Sequence, residues 1–227
     1  MSRERMSAVA IVPAAGYGKR LKMKAKKPLV SLKGKPIIAH TLSALEKCKE
    51  IDAVIIAVEK GCAGLFKDIV NKYAFRKVID IVTGGKTRFD SVVNCLESMD
   101  YPYDIVVIHD GARPLVEPSL ISRSVNLAAR YGACIAALPE SDTVKVVSKG
   151  LFIKKTLDRS FIYRAQTPQA FRYSVIRRAY ARRGGKYVTD DASLVERAGV
   201  RVKILEGSYR NIKVTTREDL KIAEVLL

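Results

Sequence analysis

Short apolar runs recur along the chain and alternate with longer amphipathic segments. Five runs are almost continuously apolar, as expected of strands that are buried on both faces. They are Ala8–Pro13, Ala53–Val58, Val78–Val82, Asp104–His109 and Ala133–Leu138. The segments between them have apolar residues at helical spacing and cover Ile37–Lys49, Ala63–Tyr73, Arg88–Met99 and Ser119–Tyr131. This alternation predicts an α/β fold with a mostly parallel sheet flanked by helices.

Two local signals indicate where helices begin. Pro36 precedes the first amphipathic segment and suits the first turn of a helix, where its missing N–H is not needed. Near the C-terminus, Thr215 and Glu218 have the spacing of a capping box. That spacing predicts a last helix that runs into Leu227.

The alternation is interrupted after Thr143. Val144–Val147, a turn at Ser148-Lys149-Gly150 and Leu151–Leu157 predict a β-hairpin. A hairpin that projects from an α/β domain leaves apolar residues such as Phe152 uncovered, so it either packs on its own domain or pairs with a second copy. We therefore expect one domain over residues 1–227, with a dimerisation arm at about 140–160.

The composition is that of a globular protein, with 48% hydrophobic and 28% charged residues among 227. No apolar run approaches the roughly 18 residues that a membrane span needs, and Met1–Met6 lacks the apolar stretch of a signal peptide. We therefore expect a cytoplasmic protein without membrane association. The four cysteines are scattered with no C-x-x-C pair, which predicts reduced core thiols and makes Mg²⁺ the expected metal, if one is bound.

The chain is strongly basic, because 41 Lys and Arg against 23 Asp and Glu give a formal net charge of +18. Such a charge favours anionic partners. Arg5–Leu45 and Arg159–Thr189 contain no acidic residue at all. Clustered basic residues also occur in nucleic-acid-binding proteins, but no zinc-finger, basic-zipper or RNA-recognition motif is present. We expect a small anionic ligand and no nucleic acid, with part of the charge on a solvated surface.

The first candidate site follows the first predicted strand, at Pro13-Ala14-Ala15-Gly16-Tyr17-Gly18-Lys19-Arg20. Small side chains let backbone N–H groups approach an anion, and the two cations add charge. A dinucleotide-binding G-x-G-x-x-G loop would need glycine at Leu21. A P-loop ending at Gly85-Lys86-Thr87 would need glycine at Asp80, so both of these motifs are excluded.

The second candidate site is His109-Asp110-Gly111-Ala112-Arg113-Pro114, at the end of the fourth predicted strand. Ligands of open parallel sheets bind outside the carboxyl ends of the strands, which places Asp110 where a substrate would bind. A carboxylate in a basic cleft suits a Mg²⁺ ion that bridges phosphates. Alternatively, Asp110 caps a helix or pairs with Arg113, while His109 is expected to be packed rather than catalytic.

Further motifs extend over essentially the whole chain. They are Pro13-Ala14-Ala15-Gly16-x-Gly18-x-Arg20, Lys27, Gly84-Gly85-x-x-Arg88-x-x-Ser91-Val92, His109-Asp110-x-Ala112-Arg113-Pro114, Asp142-Thr143, Asp158-Arg159, Gln166-Thr167-Pro168-Gln169, Thr189-Asp190-x-Ala192-Ser193 and Asn211-Ile212-Lys213-Val214-Thr215. In this combination and order, the sequence resembles the 2-C-methyl-D-erythritol 4-phosphate cytidylyltransferases of the non-mevalonate isoprenoid pathway.

The resemblance implies a Rossmann-like nucleotidyltransferase fold with a projecting β-hairpin arm that joins a homodimer. It implies transfer of CMP from CTP to methylerythritol phosphate, with Mg²⁺ and release of pyrophosphate. The predicted hairpin falls where the arm of that family belongs. The substrate phosphate attacks the α-phosphorus directly, which agrees with the absence of a Ser-His or Cys-His arrangement in the sequence.

The resemblance also implies roles for individual residues. The catalytic residues are Arg20, Lys27, Asp110 and Lys213. The CTP-binding residues are Pro13, Ala14, Ala15, Gly16, Gly18, Gly85, Ser91 and Gly111. The acceptor-binding residues are Asp110, Arg113, Thr143, Arg159, Thr167, Thr189 and Lys213, some of them reaching across the dimer. Asp110 is also the implied metal contact, directly or through water.

Two positions depart from the family's pattern. The family commonly has Pro-Lys-Gln before an aromatic residue at its catalytic lysine, whereas this chain has Lys26-Lys27-Pro28-Leu29. An ungapped alignment selects Lys27, and Lys26 stays an alternative. Lys86 replaces an acidic residue that is often found there, so a contact at this position would be made through the backbone.

Two alternative functions remain. The ribitol 5-phosphate cytidylyltransferases share the fold and CTP, but they typically have Ala-Gly-Gly in the first loop and valine in the His-Asp-x-Val-Arg-Pro motif. Gly16 is preceded here by two alanines, and Ala112 stands at the valine position, which favours the erythritol family. A non-enzymatic anion-binding protein would need the same cations without the chemistry.

Overall fold

The computed structural model describes residues 5–16, 26–181 and 188–227. The strands of this part of the chain are β1 Ala8–Pro13, β2 Ser31–Leu32, β3 Lys35–Pro36, β4 Ala53–Val58, β5 Val78–Thr83, β6 Ile105–Ile108, β7 Ala133–Pro139, β8 Lys145–Val147, β9 Ile153–Thr156, β10 Tyr163–Arg172 and β11 Lys203–Glu206. The α-helices are α1 Ile37–Lys47, α2 Ala63–Lys72, α3 Arg88–Glu97, α4 Pro118–Tyr131, α5 Tyr173–Ala181, α6 Asp191–Arg197 and α7 Arg217–Leu226.

The central sheet has seven strands in the order β11-β7-β10-β6-β1-β4-β5. β1 lies between β4 and β6 and is parallel to both, with Val9 opposite Ala53 and Val106. β10 is antiparallel to its neighbours β6 and β7, and the remaining pairs are parallel. The predicted mostly parallel sheet is therefore confirmed.

Both faces of the sheet are covered by helices. Alternate residues of β1 point to opposite faces, so that Ala10 packs with α1, α2 and α4, and Ile11 packs with α3, α5 and α6. Both of these residues are completely buried. Burial on both faces explains why the strands are apolar at nearly every position. A third cluster packs α7 against β2 through Val214, Leu32 and Ala223.

The predicted elements are present, and several boundaries were wrong. α1 ends at Lys47 and α3 at Glu97, each two residues before the predicted end. Pro36 is the residue before α1 and pairs with Ser31 in a short hairpin instead of entering the helix. The last capping box lies one residue later than predicted, because the Thr216 side chain accepts a hydrogen bond from the backbone N–H of Asp219.

The hairpin between residues 144 and 157 is confirmed as the antiparallel pair β8 and β9. All residues of the two strands are exposed. Phe152 at the tip is 79% exposed, and its neighbours Leu151 and Ile153 are 81% and 65% exposed. The hairpin therefore does not pack on its own domain. We call residues 145–156 the arm.

The four cysteines are free and buried, as predicted from their spacing. Burial raises the pKa of Cys95 and Cys134 to about 12, so both thiols stay protonated at neutral pH. Among the described residues, no helix is both long enough and apolar enough to span a membrane.

Candidate active site

A cleft of about 910 Å³ lies at the carboxyl ends of the central strands. Its walls come from the segments that follow β1, β4, β5 and β6, together with Lys27 and Lys213. Parallel strands end at the same edge of a sheet, so residues far apart in sequence meet there. Residues of both predicted loops, 13–16 after β1 and 110–112 after β6, therefore line a single cleft.

One side of the cleft consists of small residues, and we call Pro13–Gly16, Gly84 and Gly85 the small-residue wall. A Cβ atom at Gly84 would lie 2.5 Å from the Ala15 Cβ, and one at Gly85 would lie 2.1 Å from the Asp90 Cβ. No real Cβ contact is that short, so only glycine fits without displacement of the backbone. The Gly85 N–H donates to the Ser91 Oγ at 3.2 Å, which links this wall to α3.

α3 begins at this wall with a complete capping box. The Thr87 Oγ1 accepts from the Asp90 N–H at 3.1 Å, and the Asp90 carboxylate accepts from the Thr87 N–H at 2.9 Å. The helix therefore begins sharply beside the cleft, which Thr87, Arg88 and Ser91 line. The positive end of its dipole adds to the attraction of an anion.

A second part of the cleft carries charge. The Asp110 carboxylate accepts from the Lys213 Nζ at 2.7 Å and from the Arg88 Nε at 3.2 Å, and the Arg113 Nε lies 3.8 Å away. We call these four residues the charged cluster. Three cations surround one carboxylate, so the cluster keeps an excess of positive charge next to the small-residue wall.

The cations determine the ionisation of Asp110. Burial by itself would raise the pKa of this carboxyl, but Arg88, Lys213 and Arg113 hold it well below its usual range. Asp110 is therefore ionised at neutral pH and can only accept hydrogen bonds. Burial lowers the pKa of Arg113, an effect that Asp110 opposes.

A buried network behind Asp110 holds the loop in place. The Asp110 N–H donates to the Thr167 Oγ1 at 3.0 Å, and that hydroxyl lies 3.1 Å from the His109 Nδ1. The other ring nitrogen of His109 lies 3.3 Å from the Arg113 backbone oxygen. Burial lowers the pKa of His109 to about 4, so the ring is neutral and, as expected from the sequence, packed. Arg113 donates to the Asn211 backbone oxygen at 2.7 Å.

The structure distinguishes the two adjacent lysines. The Lys26 Nζ lies 2.8 Å from a Glu59 carboxylate oxygen and donates to the Cys62 Sγ at 2.8 Å. Hydrogen bonds to Cys62 and Glu59 raise the pKa of Lys26 above its ordinary value. Lys27 lines the cleft and begins a short 3₁₀ turn that contains the buried Pro28.

Most of the predicted site residues are brought together. Those that line the cleft are Pro13, Ala14, Ala15, Gly16, Lys27, Gly85, Ser91, Asp110, Gly111 and Lys213. Arg113 and Thr167 are buried behind Asp110. Gly18 and Arg20 lie outside the described residues.

Besides Arg113 and Thr167, three further predicted acceptor-binding residues do not line the cleft of this chain. Thr143, Arg159 and Thr189 are all exposed. Arg159 donates to the Ser141 backbone oxygen at 2.6 Å, at the base of the arm. Asp110 is not a helix cap, because α4 begins at Pro118, whereas the alternative pairing with Arg113 is present at 3.8 Å.

Two charged residues of the site had no predicted role. Arg88 contacts Asp110 from the first turn of α3, and Asp191 at the start of α6 holds the same guanidinium. Both lie within or beside motifs quoted from the sequence. No local sequence pattern predicts their contact, because they are 103 positions apart.

Comparisons with known proteins identify the family. A sequence model described as 2-C-methyl-D-erythritol 4-phosphate cytidylyltransferase matches residues 8–227. A protein of that name from Pelotomaculum thermopropionicum is 45% identical over 221 residues, which cover 96% of this chain and 93% of that protein. Another from Clostridioides difficile is 43% identical over 220 residues, covering 96% of this chain and 92% of that protein.

Solved structures agree with the sequence comparisons. The 4-diphosphocytidyl-2C-methyl-D-erythritol synthase of Anaerococcus prevotii has a TM-score of 0.86 at 32% identity, with 98% of both chains covered. The cytidylyltransferase of Thermus thermophilus has a TM-score of 0.78 at 31% identity, with 97% of this chain and 98% of that chain covered. The predicted Rossmann-like fold is thus confirmed, and the chain belongs to the 2-C-methyl-D-erythritol 4-phosphate cytidylyltransferase family.

Proposed function

We propose that this protein transfers CMP from CTP to 2-C-methyl-D-erythritol 4-phosphate in isoprenoid precursor synthesis. Family membership over residues 8–227 supports this activity. The structural observation that carries the proposal is the placement of the small-residue wall and the charged cluster next to each other in one cleft. Such a cleft can hold two polyanions side by side.

The small-residue wall is the proposed CTP site. The N–H groups of Ala14, Gly84 and Gly85 already donate within the protein, so this wall contributes close approach of a ligand to the backbone. Ser91 offers a hydroxyl in the same cleft. Lys27, in the same cleft, supplies a positive charge for the triphosphate. Lys27 lines the cleft and Lys26 is not among the lining residues, which supports Lys27 as the catalytic lysine. Arg20 and Gly18 keep their predicted roles at the triphosphate.

The charged cluster is the proposed acceptor site. Asp110 is ionised and accepts hydrogen bonds from substrate hydroxyls, while Lys213 is exposed enough to reach a phosphate. Arg113 is buried and hydrogen-bonded to the Asn211 backbone oxygen, so it contributes charge from behind Asp110. Thr167 holds the backbone of Asp110.

The transfer needs no protein nucleophile. An oxygen of the acceptor phosphate attacks the α-phosphorus of CTP, the bond between that phosphorus and the bridging oxygen breaks, and pyrophosphate leaves. The residues of the cleft hold the two phosphates in line and neutralise the charge that develops on the phosphoryl oxygens and the leaving group. Lys27 and Lys213 are placed in the cleft for this task.

The donor set of the cleft fits Mg²⁺. Both oxygens of Asp110 already contact cations, one Lys213 and the other Arg88. A Mg²⁺ ion held mainly by phosphate oxygens, with Asp110 as a contact through water, is consistent with this arrangement and with the habits of the ion. When bound, Mg²⁺ would supply further neutralisation of the triphosphate charge.

The arm is the proposed dimer contact. Leu151, Phe152 and Ile153 are 65–81% exposed, and such an apolar strand edge is normally covered. Pairing of two copies through the arm would offer Thr143 and Arg159 to the partner's cleft. Sedimentation of the wild type as a dimer, and of Phe152→Asp as a monomer, is the expected result; a monomeric wild type would refute it.

The free cysteines support a cytoplasmic location.

The experiment that tests the proposed function measures pyrophosphate release with Mg²⁺ and CTP. The acceptor is methylerythritol phosphate, ribitol 5-phosphate or none. Release with the first acceptor alone is expected, because family membership favours it. Release with ribitol 5-phosphate alone would contradict the proposed substrate, and silence with both acceptors would contradict the proposed activity.

A further inference from the structure

The guanidinium of Arg88 lies between two carboxylates. Its Nε donates to the Asp110 Oδ1 at 3.2 Å, and its two terminal nitrogens donate to both oxygens of Asp191 at 2.9 and 2.7 Å. A bidentate pair of this kind fixes the plane of the guanidinium as well as its position. Arg88 therefore presents its Nε to Asp110 in one defined direction.

Asp191 is anchored outside the cleft. Its side chain is fully buried and accepts from the Tyr180 hydroxyl at 2.5 Å. The Asp191 backbone N–H donates to the Gln169 Oε1 at 3.1 Å. Burial and the neighbouring Asp191 raise the pKa of Tyr180, so this hydroxyl stays a donor. A buried carboxylate needs hydrogen bonds and opposite charge in place of the water that it has lost. Here these contacts connect α3, α5, α6 and β10 around the Arg88 guanidinium.

The two oxygens of Asp110 are held in different ways. Lys213 contacts Oδ2, and its side chain is 40% exposed, so it can turn toward a phosphate in the cleft. Arg88 contacts Oδ1, and its side chain is 28% exposed and held by Asp191. When Lys213 moves to a bound phosphate, Arg88 still fixes the carboxylate.

We propose that Arg88 is a positioning residue for the acceptor, which orients the Asp110 carboxylate while Asp191 and Tyr180 hold Arg88 from outside the cleft. This inference rests on the proposed function, because its readout is transfer to the acceptor. The small-residue wall is held by its own contacts, such as that between Gly85 and Ser91. Loss of Arg88 therefore affects the acceptor more than CTP.

The first test is steady-state kinetics with each substrate varied in turn. Arg88→Lys keeps the charge but loses the bidentate fork, and it lowers kcat/KM for the acceptor about 100-fold, the effect of a small misplacement. Its KM for CTP changes less than about threefold. Tyr180→Phe changes the same parameter in the same direction, by about tenfold or less. Arg178→Lys, at an exposed position of α5, is the matched control and keeps wild-type kinetics.

The second test separates acceptor binding from CTP binding, a split that a general packing defect would not produce. Arg88→Gln removes the guanidinium that contacts the Asp110 Oδ1, so its KM for the acceptor rises about tenfold or more. Titration calorimetry with CTP gives Arg88→Gln a Kd within about threefold of the wild-type value, because the small-residue wall keeps its own contacts.

Each result is decisive. An equal loss of affinity for both substrates, or a KM for the acceptor that stays unchanged in Arg88→Gln, overturns the positioning role. Normal kinetics of the Arg88 variants in an active enzyme overturn this inference alone. A wild-type protein that is inactive with methylerythritol phosphate contradicts the proposed function itself, and this inference with it.

Discussion

The two sides of the cleft differ in what their sequence must provide. What matters in the small-residue wall is the absence of side-chain atoms, because a Cβ atom at Gly85 would lie only 2.1 Å from the Asp90 Cβ. The charged cluster offers side chains, and what matters there is the network behind them, including Thr167 and Asp191. Changes that add atoms should therefore damage the first side, and changes that remove hydrogen bonds should damage the second.

The largest expected effect separates the adjacent lysines Lys26 and Lys27. Lys27→Met lowers kcat about 100- to 1000-fold, because the charge facing the triphosphate is lost. Lys26→Met lowers it less than about fivefold, because a partly exposed ion pair contributes little. Pyrophosphate release measured for the two variants side by side checks this. Equal losses in the two variants, or a larger loss in Lys26→Met, would show that Lys27 is not the catalytic lysine.

The next effect concerns His109, next to the charged cluster, and the pH dependence of the free energy of unfolding. His109 has an ordinary pKa of 6.5 and a folded pKa of about 4, so the unfolded state binds a proton between these values when the folded state does not. The contribution of His109 to the free energy of unfolding is complete above pH 6.5. It is lost as the pH falls toward 4, and the loss is at most about 3 kcal/mol. Urea unfolding across this range should show that decline.

The imidazole resonances give an independent check on His109. The chain has two histidines, and His40→Gln removes the other signal. The remaining resonance should stay at its neutral position from pH 7.5 to about 5. A titration near pH 6.5 would mean that the network behind Asp110 is open to water.

A smaller effect is expected from Thr167, on the same side of the cleft. Thr167→Val removes the hydroxyl that accepts from the Asp110 N–H and leaves that donor buried without a partner. We expect kcat/KM for the acceptor to fall about tenfold, with the KM for CTP unchanged. Thr167→Ser keeps the hydroxyl and serves as the matched control. If the serine variant loses as much as the valine variant, the hydroxyl is not the important group.

The two sides also differ in how far the sequence predicts them. The wall follows β1, whose continuous apolar run predicted the strand with the bounds that it has. Asp110 was placed by the rule that ligands bind at the carboxyl ends of parallel strands, and it lines the cleft. Local patterns were sufficient in both cases because the strands are buried on both faces.

Local sequence patterns could not predict the residues that hold the charged cluster in place. β10 contains Gln166, Thr167 and Pro168 in place of a valine and isoleucine run, and its antiparallel place in the sheet is set by distant neighbours. The contact of Arg88 with Asp191 joins residues 103 positions apart. The positions of Lys26 and Lys27 relative to the cleft depend on the short turn at Lys27–Leu29. The proline of this turn, Pro28, is absent at that position of the family pattern.

The central claim is that CTP binds the small-residue wall independently of the charged cluster. Titration calorimetry with CTP in the absence of Mg²⁺, so that the proposed metal contact of Asp110 does not contribute, tests it most directly on the wild type, Gly85→Ala and Asp110→Asn. We predict that Gly85→Ala weakens CTP binding at least about tenfold, because the added Cβ forces the wall apart. Asp110→Asn should bind CTP at least as tightly as the wild type, because a negative charge beside a polyanion is removed. Undiminished binding by Gly85→Ala, together with weakened binding by Asp110→Asn, would contradict this account.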